Sequence, residues 1–90
     1  MDWDDVSFVT GNKIRFGVVI ALKSKSKTPT ALSKETGFAI THVSTALKKL
    51  GARKIVECLS PNVKKNKFFS ITQKGKEILD MIRKQTELTA

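Results

Sequence analysis

The sequence predicts a small, mostly helical α+β domain, and three observations carry that expectation. Apolar residues recur at helical spacing in stretches punctuated by Gly, Pro and Ser. Near residue 55 this pattern gives way to two short strand-like runs around a turn. Positive charge is concentrated between them: Lys and Arg number 17 against 8 Asp and Glu, a net of +9. Between Val6 and Lys76 the only acids are Glu35 and Glu57. A strongly basic middle favours a polyanionic partner, although a solubility surface or thermophilic Lys enrichment gives the same composition.

Ninety residues suit one domain over 1–90, with a compact core drawn from the 40% that are apolar. Cys58 is the only cysteine, so no intramolecular disulfide is expected. A lone strand cysteine reads as a small core residue, with a redox sensor as the alternative. The longest apolar run, Phe16 to Leu22, falls short of the roughly 18 residues that span a membrane. It also lacks the flanks of a signal peptide. The expectation is a cytoplasmic, nucleoid-associated protein with no membrane partner.

Asp2-Trp3-Asp4-Asp5 suits a helix start, because carboxylates stabilise a helix N-terminus. Gly11-Asn12 breaks that helix. Asn12 to Ser24 reads as a second helix, apolar around most of its circumference through Ile14, Phe16, Val18, Val19, Ile20 and Leu22. Gly17 costs it about 1 kcal/mol relative to Ala, which packing must offset. Thr28-Pro29 is a cap followed by Pro at the first helical position. The helix over 29–36 then ends at Gly37. A helix over about 40–50 places Val43, Ala46, Leu47 and Leu50 in one narrow sector. Thr41, Thr45, Lys48 and Ala52 point the opposite way, flanked by His42 and Lys49, with no acid among them. A hairpin over about 55–71 follows, its strands Ile55 to Leu59 and Phe68 to Ile71. Its tip is Lys64-Lys65-Asn66-Lys67. Thr72 caps a last helix over about 73–85, with Ile78, Leu79 and Ile82 on one side.

Two short helices joined by a tight Gly turn form a helix-turn-helix, in which the first braces the second. The second suits the major groove of a duplex, where base edges present a distinguishing set of donors and acceptors. Lysines on a hairpin tip suit phosphates, because a point charge needs little orientation. The candidate contact residues to double-stranded DNA are Thr28, Thr30, Thr41, His42, Ser44, Thr45, Lys48, Lys49, Lys64, Lys65, Asn66 and Lys67.

The stretches Thr28 to Gly37 and Thr41 to Leu50, then Ile55-Val56-Glu57 and Phe69 to Gly75, resemble winged helix-turn-helix transcription regulators. The resemblance covers Asn12 to Ile82 and is closest to ArsR-type and MarR-type regulators of prokaryotes, archaea included. It implies a homodimer on a pseudo-palindromic operator. Three departures stand out. Ala39 occupies the usual Ser or Thr cap, so Thr41 is an alternative cap. Ser33 stands for a common Ala. Lys54 occupies the place of a Gly before the first wing strand, while Gly51 comes earlier, so the recognition helix is expected to end sooner.

Other chemistries have little support. His42 and Cys58 lie on different elements, and the cysteine pair of metal-sensing ArsR-type members is absent, so no metal or cofactor is expected. No nucleophile set or Gly-rich phosphate loop suggests an enzyme. A small chain leaves little room for a small-molecule pocket. Trp3, Met81 and Leu88 remain after the core is assigned, and suit an apolar seam between two copies. Beside a sequence-specific regulator stand an architectural DNA-binding protein and a winged-helix protein-interaction module. RNA binding has one exposed-stacking candidate, Phe68.

Overall fold

The computed structural model describes residues 3–60, 62 and 67–89, with side chains as far as residue 84. The element order is α1 (Trp3–Thr10), α2 (Lys13–Ala21), α3 (Pro29–Thr36), α4 (Ile40–Ala52), β1 (Val56–Cys58), β2 (Phe69–Ile71) and α5 (Gln73–Thr89). The fold is mostly helical α+β, with five helices and a two-stranded antiparallel hairpin among the described residues.

Side-chain caps set three helix starts. Asn12 is extended (φ −145°), and its Oδ1 accepts from the Ile14 and Arg15 amides at 2.9 and 3.1 Å. The Thr28 hydroxyl accepts from the Ala31 amide, with Pro29 at the first helical position of α3. The Thr72 hydroxyl accepts from the Gly75 amide at 3.1 Å and turns its proton toward the Lys54 and Ile55 carbonyls. Each such cap contributes about 0.5–2 kcal/mol. Gly37 closes α3 in the left-handed region, at φ 80°.

The core gathers around α4. Val43, Ala46, Leu47 and Leu50 are all buried, against Val18, Val19 and Leu22 near the end of α2 and Leu32 of α3. Val6 and Val9 join from α1, and Ile55, Val56, Ile71 and Ile78 close the other end. Each full burial of a Val or Leu contributes about 1.5–3 kcal/mol. The Gly17 deficit also has its compensation. A Cβ there would stand 2.8 Å from the Phe38 ring, so the missing side chain is the space Phe38 fills.

Several boundaries differ from expectation, each for a local reason. The helix expected over 40–50 continues through Gly51 to Ala52 rather than ending sooner. Its stop comes at Lys54, the one described non-glycine residue with positive φ, at 62°. The Ile55 amide donates to Leu50 and the Lys54 amide to Gly51, both at 3.0 Å, which is a Schellman closure with Lys54 in the usual Gly position. That closure takes Ile55 out of the first strand, which shrinks from 55–59 to Val56–Cys58. The second strand starts at Phe69, not Phe68. The helix expected over 12–24 is Lys13–Ala21, because Asn12 caps it, and Ile20 on it is 45% exposed. Cys58 is half-buried and outside the core, and α5 runs on to Thr89.

Two ion-pair systems join elements distant in sequence. Asp5 is buried on α1, with Arg53 at 3.2 Å and Lys74 at 3.0 Å. Lys74 also donates to the Arg53 carbonyl, so α1, the end of α4 and the start of α5 meet at one carboxylate. Arg53 and Arg15 both lie over the Phe8 ring, 4.1 and 4.0 Å from its centroid. Lys27 is buried, with Glu35 at 2.7 Å, and its ammonium also donates to the Ala21 carbonyl. The Lys27 backbone exchanges two hydrogen bonds with Phe69, giving β2 a neighbour on its second edge.

The Lys74 hydrogen bond holds the Asp5 carboxyl below its usual value, against burial that would raise it, with Arg53 adding to the lowering. This stabilisation is therefore complete above the unfolded value of about 3.9 and is lost as pH falls through the lower folded one. We predict that Asp5→Asn destabilises the neutral-pH protein by about 1–3 kcal/mol, since its partners are themselves part-exposed. Urea midpoints of the two proteins should converge as pH drops below about 4; a constant gap down to pH 2 would refute this. Gly75 gives a second prediction. A Cβ there would lie 2.5 Å from both the Ile55 carbonyl oxygen and an Ile71 side-chain carbon. Gly75→Ala should lower stability by about 1–3 kcal/mol, read as a reduced urea midpoint with an unchanged slope.

Candidate nucleic-acid interface

With Val43, Ala46, Leu47 and Leu50 turned inward, the 3.6-residue period fixes what α4 shows to solvent. Thr41, Thr45, Lys48 and Ala52 are exposed, as are His42, Ser44 and Lys49 beside them. No acid lies on this helix. The Thr45 hydroxyl donates to the Thr41 carbonyl at 3.0 Å. Its proton is thereby committed, and what it offers outward is an acceptor oxygen and a methyl group. At the start of α4, Ala39 supplies no side-chain hydrogen bond and the helix begins at Ile40, so Thr41 does not displace the start. The first amides of α4 are left with no side-chain acceptor.

The two flanks of α4 face different neighbours. On one side a shallow groove separates α4 from the hairpin and the start of α5. Lys48, Gly51, Lys54, Cys58, Phe69, Gln73 and Lys74 line it, with Glu57 as its one acid. On the other side a hollow opens toward the start of α2, lined by Asn12, Ile14, Arg15, His42, Thr45, Ala46 and Lys49. Adjacent lysines thus serve opposite flanks: Lys48 the hairpin side, Lys49 the α2 side.

The remaining expected contact residues are distributed as follows. Thr30 is exposed near the start of α3, while Thr28 is half-buried and committed as a cap. Lys67 is half-buried rather than projecting from a tip. Lys64, Lys65 and Asn66 lie outside the described residues. Phe68 and Leu59 form an exposed apolar pair at the hairpin, where the Leu59 amide donates to the Phe68 carbonyl at 2.7 Å.

Three cations beside this face, Lys54, Lys74 and Arg15, lie beyond what sequence reasoning reaches. Lys54 reads as a departure from the family pattern, although its place directly after α4 is a usable signal, and Lys74 reads only as part of the closing helix. Arg15 was hidden because its setting depends on Phe8, seven residues away and on another helix. Two acids are paired within the fold, Glu35 with Lys27 and Asp5 with Arg53 and Lys74, while Glu57 stays exposed in the groove on the hairpin side. Among the described residues no cluster of three or more His, Cys, Asp or Glu is placed to hold a metal ion. No helix among them is long and apolar enough to cross a membrane.

No family model matches this chain, and no curated protein matches it. Solved structures do. NMB1585, a MarR family regulator from Neisseria meningitidis, superposes with a TM-score of 0.73 at 19% identity, over 84% of this chain and 55% of that one. Mb0332 from Mycobacterium bovis is a homodimeric winged helix-turn-helix DNA-binding domain, described as a possible ArsR-family regulator. It gives 0.69 at 18% identity, over 93% of this chain and 74% of that one. The transcriptional repressor CouR, bound to a 23-mer DNA duplex, gives 0.71 at 18%, over 90% and 61%. The chain therefore spans about half to three-quarters of these proteins, and the likeness establishes a winged helix-turn-helix fold. In that fold α3 and α4 are the helix-turn-helix and the β1–β2 hairpin is the wing.

Lys54 carries a stability prediction. A side chain in the left-handed region costs about 1–2 kcal/mol, which Gly avoids at some entropic cost of its own. Lys54→Gly should therefore raise stability by about 0.5–1 kcal/mol. Lys54→Ala, which removes the same charge but keeps a Cβ, should not; equal urea midpoints for the two variants would contradict the strain argument.

Proposed function

We propose that residues 1–90 act as one DNA-binding domain of a sequence-specific transcription regulator, with α4 in the major groove of a duplex. The observation that carries this is the exposed, acid-free face of Thr41, Thr45 and Lys48 directly opposite the buried stripe of α4. A major groove about 12 Å wide admits one helix of 10–12 Å. Thr45, its proton committed inward, presents an acceptor to an exocyclic amine of adenine or cytosine and a methyl to thymine. Lys48 reaches a guanine edge or a phosphate. His42, Ser44, Lys49, Thr28 and Thr30 complete the surface from the helix-turn-helix, and Lys64, Lys65, Asn66 and Lys67 from the wing. The amides that Ala39 leaves uncapped add donors for a phosphate.

The same reading makes the protein a homodimer. Trp3 on α1 is 56% exposed, and α1 packs against α5, where Met81 lies half-buried against this chain's own core and the Leu88 side chain is outside the described residues. These terminal helices suit an isologous seam between two copies, which would match a two-fold operator. The homodimeric Mb0332 domain and the duplex-bound CouR lend both parts support. Catalysis, cofactors and small-molecule ligands have no part in this reading, and its setting is the nucleoid in the cytoplasm.

The test is selection from a random duplex library followed by binding measurements on the winner. An inverted repeat should be enriched. Thr45→Ala or Lys48→Ala should relax preference at one or two base pairs, each worth about 1–3 kcal/mol of discrimination. Lys67→Ala should weaken all sequences alike and shallow the salt dependence by about one unit of log–log slope. Equal losses on the selected site and on random DNA for every variant would instead favour an architectural role.

A further inference from the structure

We propose that the hollow between the start of α2 and the far flank of α4 is a second phosphate-binding wall, built by Arg15, Lys49 and His42. It takes the backbone of the DNA strand opposite the one met by the wing. The inference rests on the reading of α4 as a groove-bound helix. It adds Arg15 of α2 to the surface and gives His42 and Lys49 of α4 a strand of their own to meet.

Three observations carry it. First, a helix seated in a major groove has a sugar-phosphate strand on each side, and the wing lies along only one flank of α4. Lys48 and Lys49, about 100° apart around the axis, point one to each flank. Second, the α2-side hollow is cationic and free of acids, whereas the wing-side groove contains Glu57. Third, Arg15 is already held in place. Its Nε donates to the Phe8 carbonyl at 2.6 Å, and its guanidinium lies 4.0 Å from the centre of the Phe8 ring. Only one of its five N–H donors is used by that carbonyl, and the planar fork of the rest matches phosphate geometry. A side chain held this way loses less freedom on contact than a free lysine does.

A free inorganic anion shares this chemistry, so the experiment separates the two sources. On the selected duplex, ethylation interference and salt dependence are measured for the wild type, Lys49→Ala, Arg15→Gln and Arg15→Lys. Lys49 is exposed, so its variant does not disturb the fold. Each of Lys49→Ala and Arg15→Gln is expected to shallow the log–log salt slope by about 0.9. The affinity lost between 50 and 200 mM salt then shrinks roughly 3.5-fold, since a fourfold salt change acts through that slope. Interference should disappear at phosphates opposite the wing-contacted strand alone, with base preference unchanged, and Arg15→Lys should recover part of the slope. Unchanged slopes and footprint in these variants, while Lys48→Ala shallows the slope, would overturn the wall and leave the DNA reading standing. Failure of the wild type to bind any duplex would overturn both. Inorganic phosphate titrated alone and followed by the amide resonances of His42 and Lys49 gives the last arm. Saturable binding there, with the DNA footprint unaltered by the variants, would make the hollow a free-anion site and overturn the proposal.

Discussion

Everything on the candidate interface depends on one packing constraint: α4 has a single way to bury its apolar stripe. Val43, Ala46, Leu47 and Leu50 occupy one narrow sector, and all four are buried against α2, α3 and the strands. A rotation of 100° would expose a leucine and bury a lysine. The hydrophobic loss and the cost of desolvating a charge act in the same direction. The orientation of Thr41, Thr45 and Lys48 is thus a by-product of burial on the other side. The Schellman closure at Lys54 and the Thr72 cap fix where this helix stops and where the wing departs.

The fold was largely legible in the sequence because its decisive features are local. Thr28-Pro29, Gly37 and Thr72 announce their roles through neighbours three or four residues away. The α4 face followed from periodicity alone. What stayed hidden depends on partners far along the chain. Asp5 reads as a helix-start acid and is also the buried partner of Arg53 and Lys74. Lys27 belongs to the polar, positively charged run Ser24-Lys25-Ser26-Lys27 and is nevertheless buried, paired with Glu35 and bonded through its backbone to Phe69. Cys58 and Ile20 were placed in the core by their residue type, yet the sheet is short and α2 is buried over a narrower sector than its composition implies.

The candidate surface was legible in its centre and not at its edges. Spacing shows which way each residue of a helix faces, but not which other element stands beside it. Hence Thr45 and Lys48 were found directly. Lys54 and Arg15 became visible only once the wing and α2 took their places on either side. Charge behaves in the same way. The net of +9 was plain from composition, whereas the pairing of exposed Glu35 with Lys27 and of buried Asp5 with Arg53 and Lys74 is a property of the fold.

Lys27 has a mechanical consequence. Through its main chain it is a neighbour of the returning wing strand; through its ammonium it is fastened to α3 and to the end of α2. The root of the wing and the bracing helix therefore behave as one stiff body. If α4 seats in a duplex as proposed, the base of the hairpin would move with α3 and could not swing on its own as a door swings on its hinge.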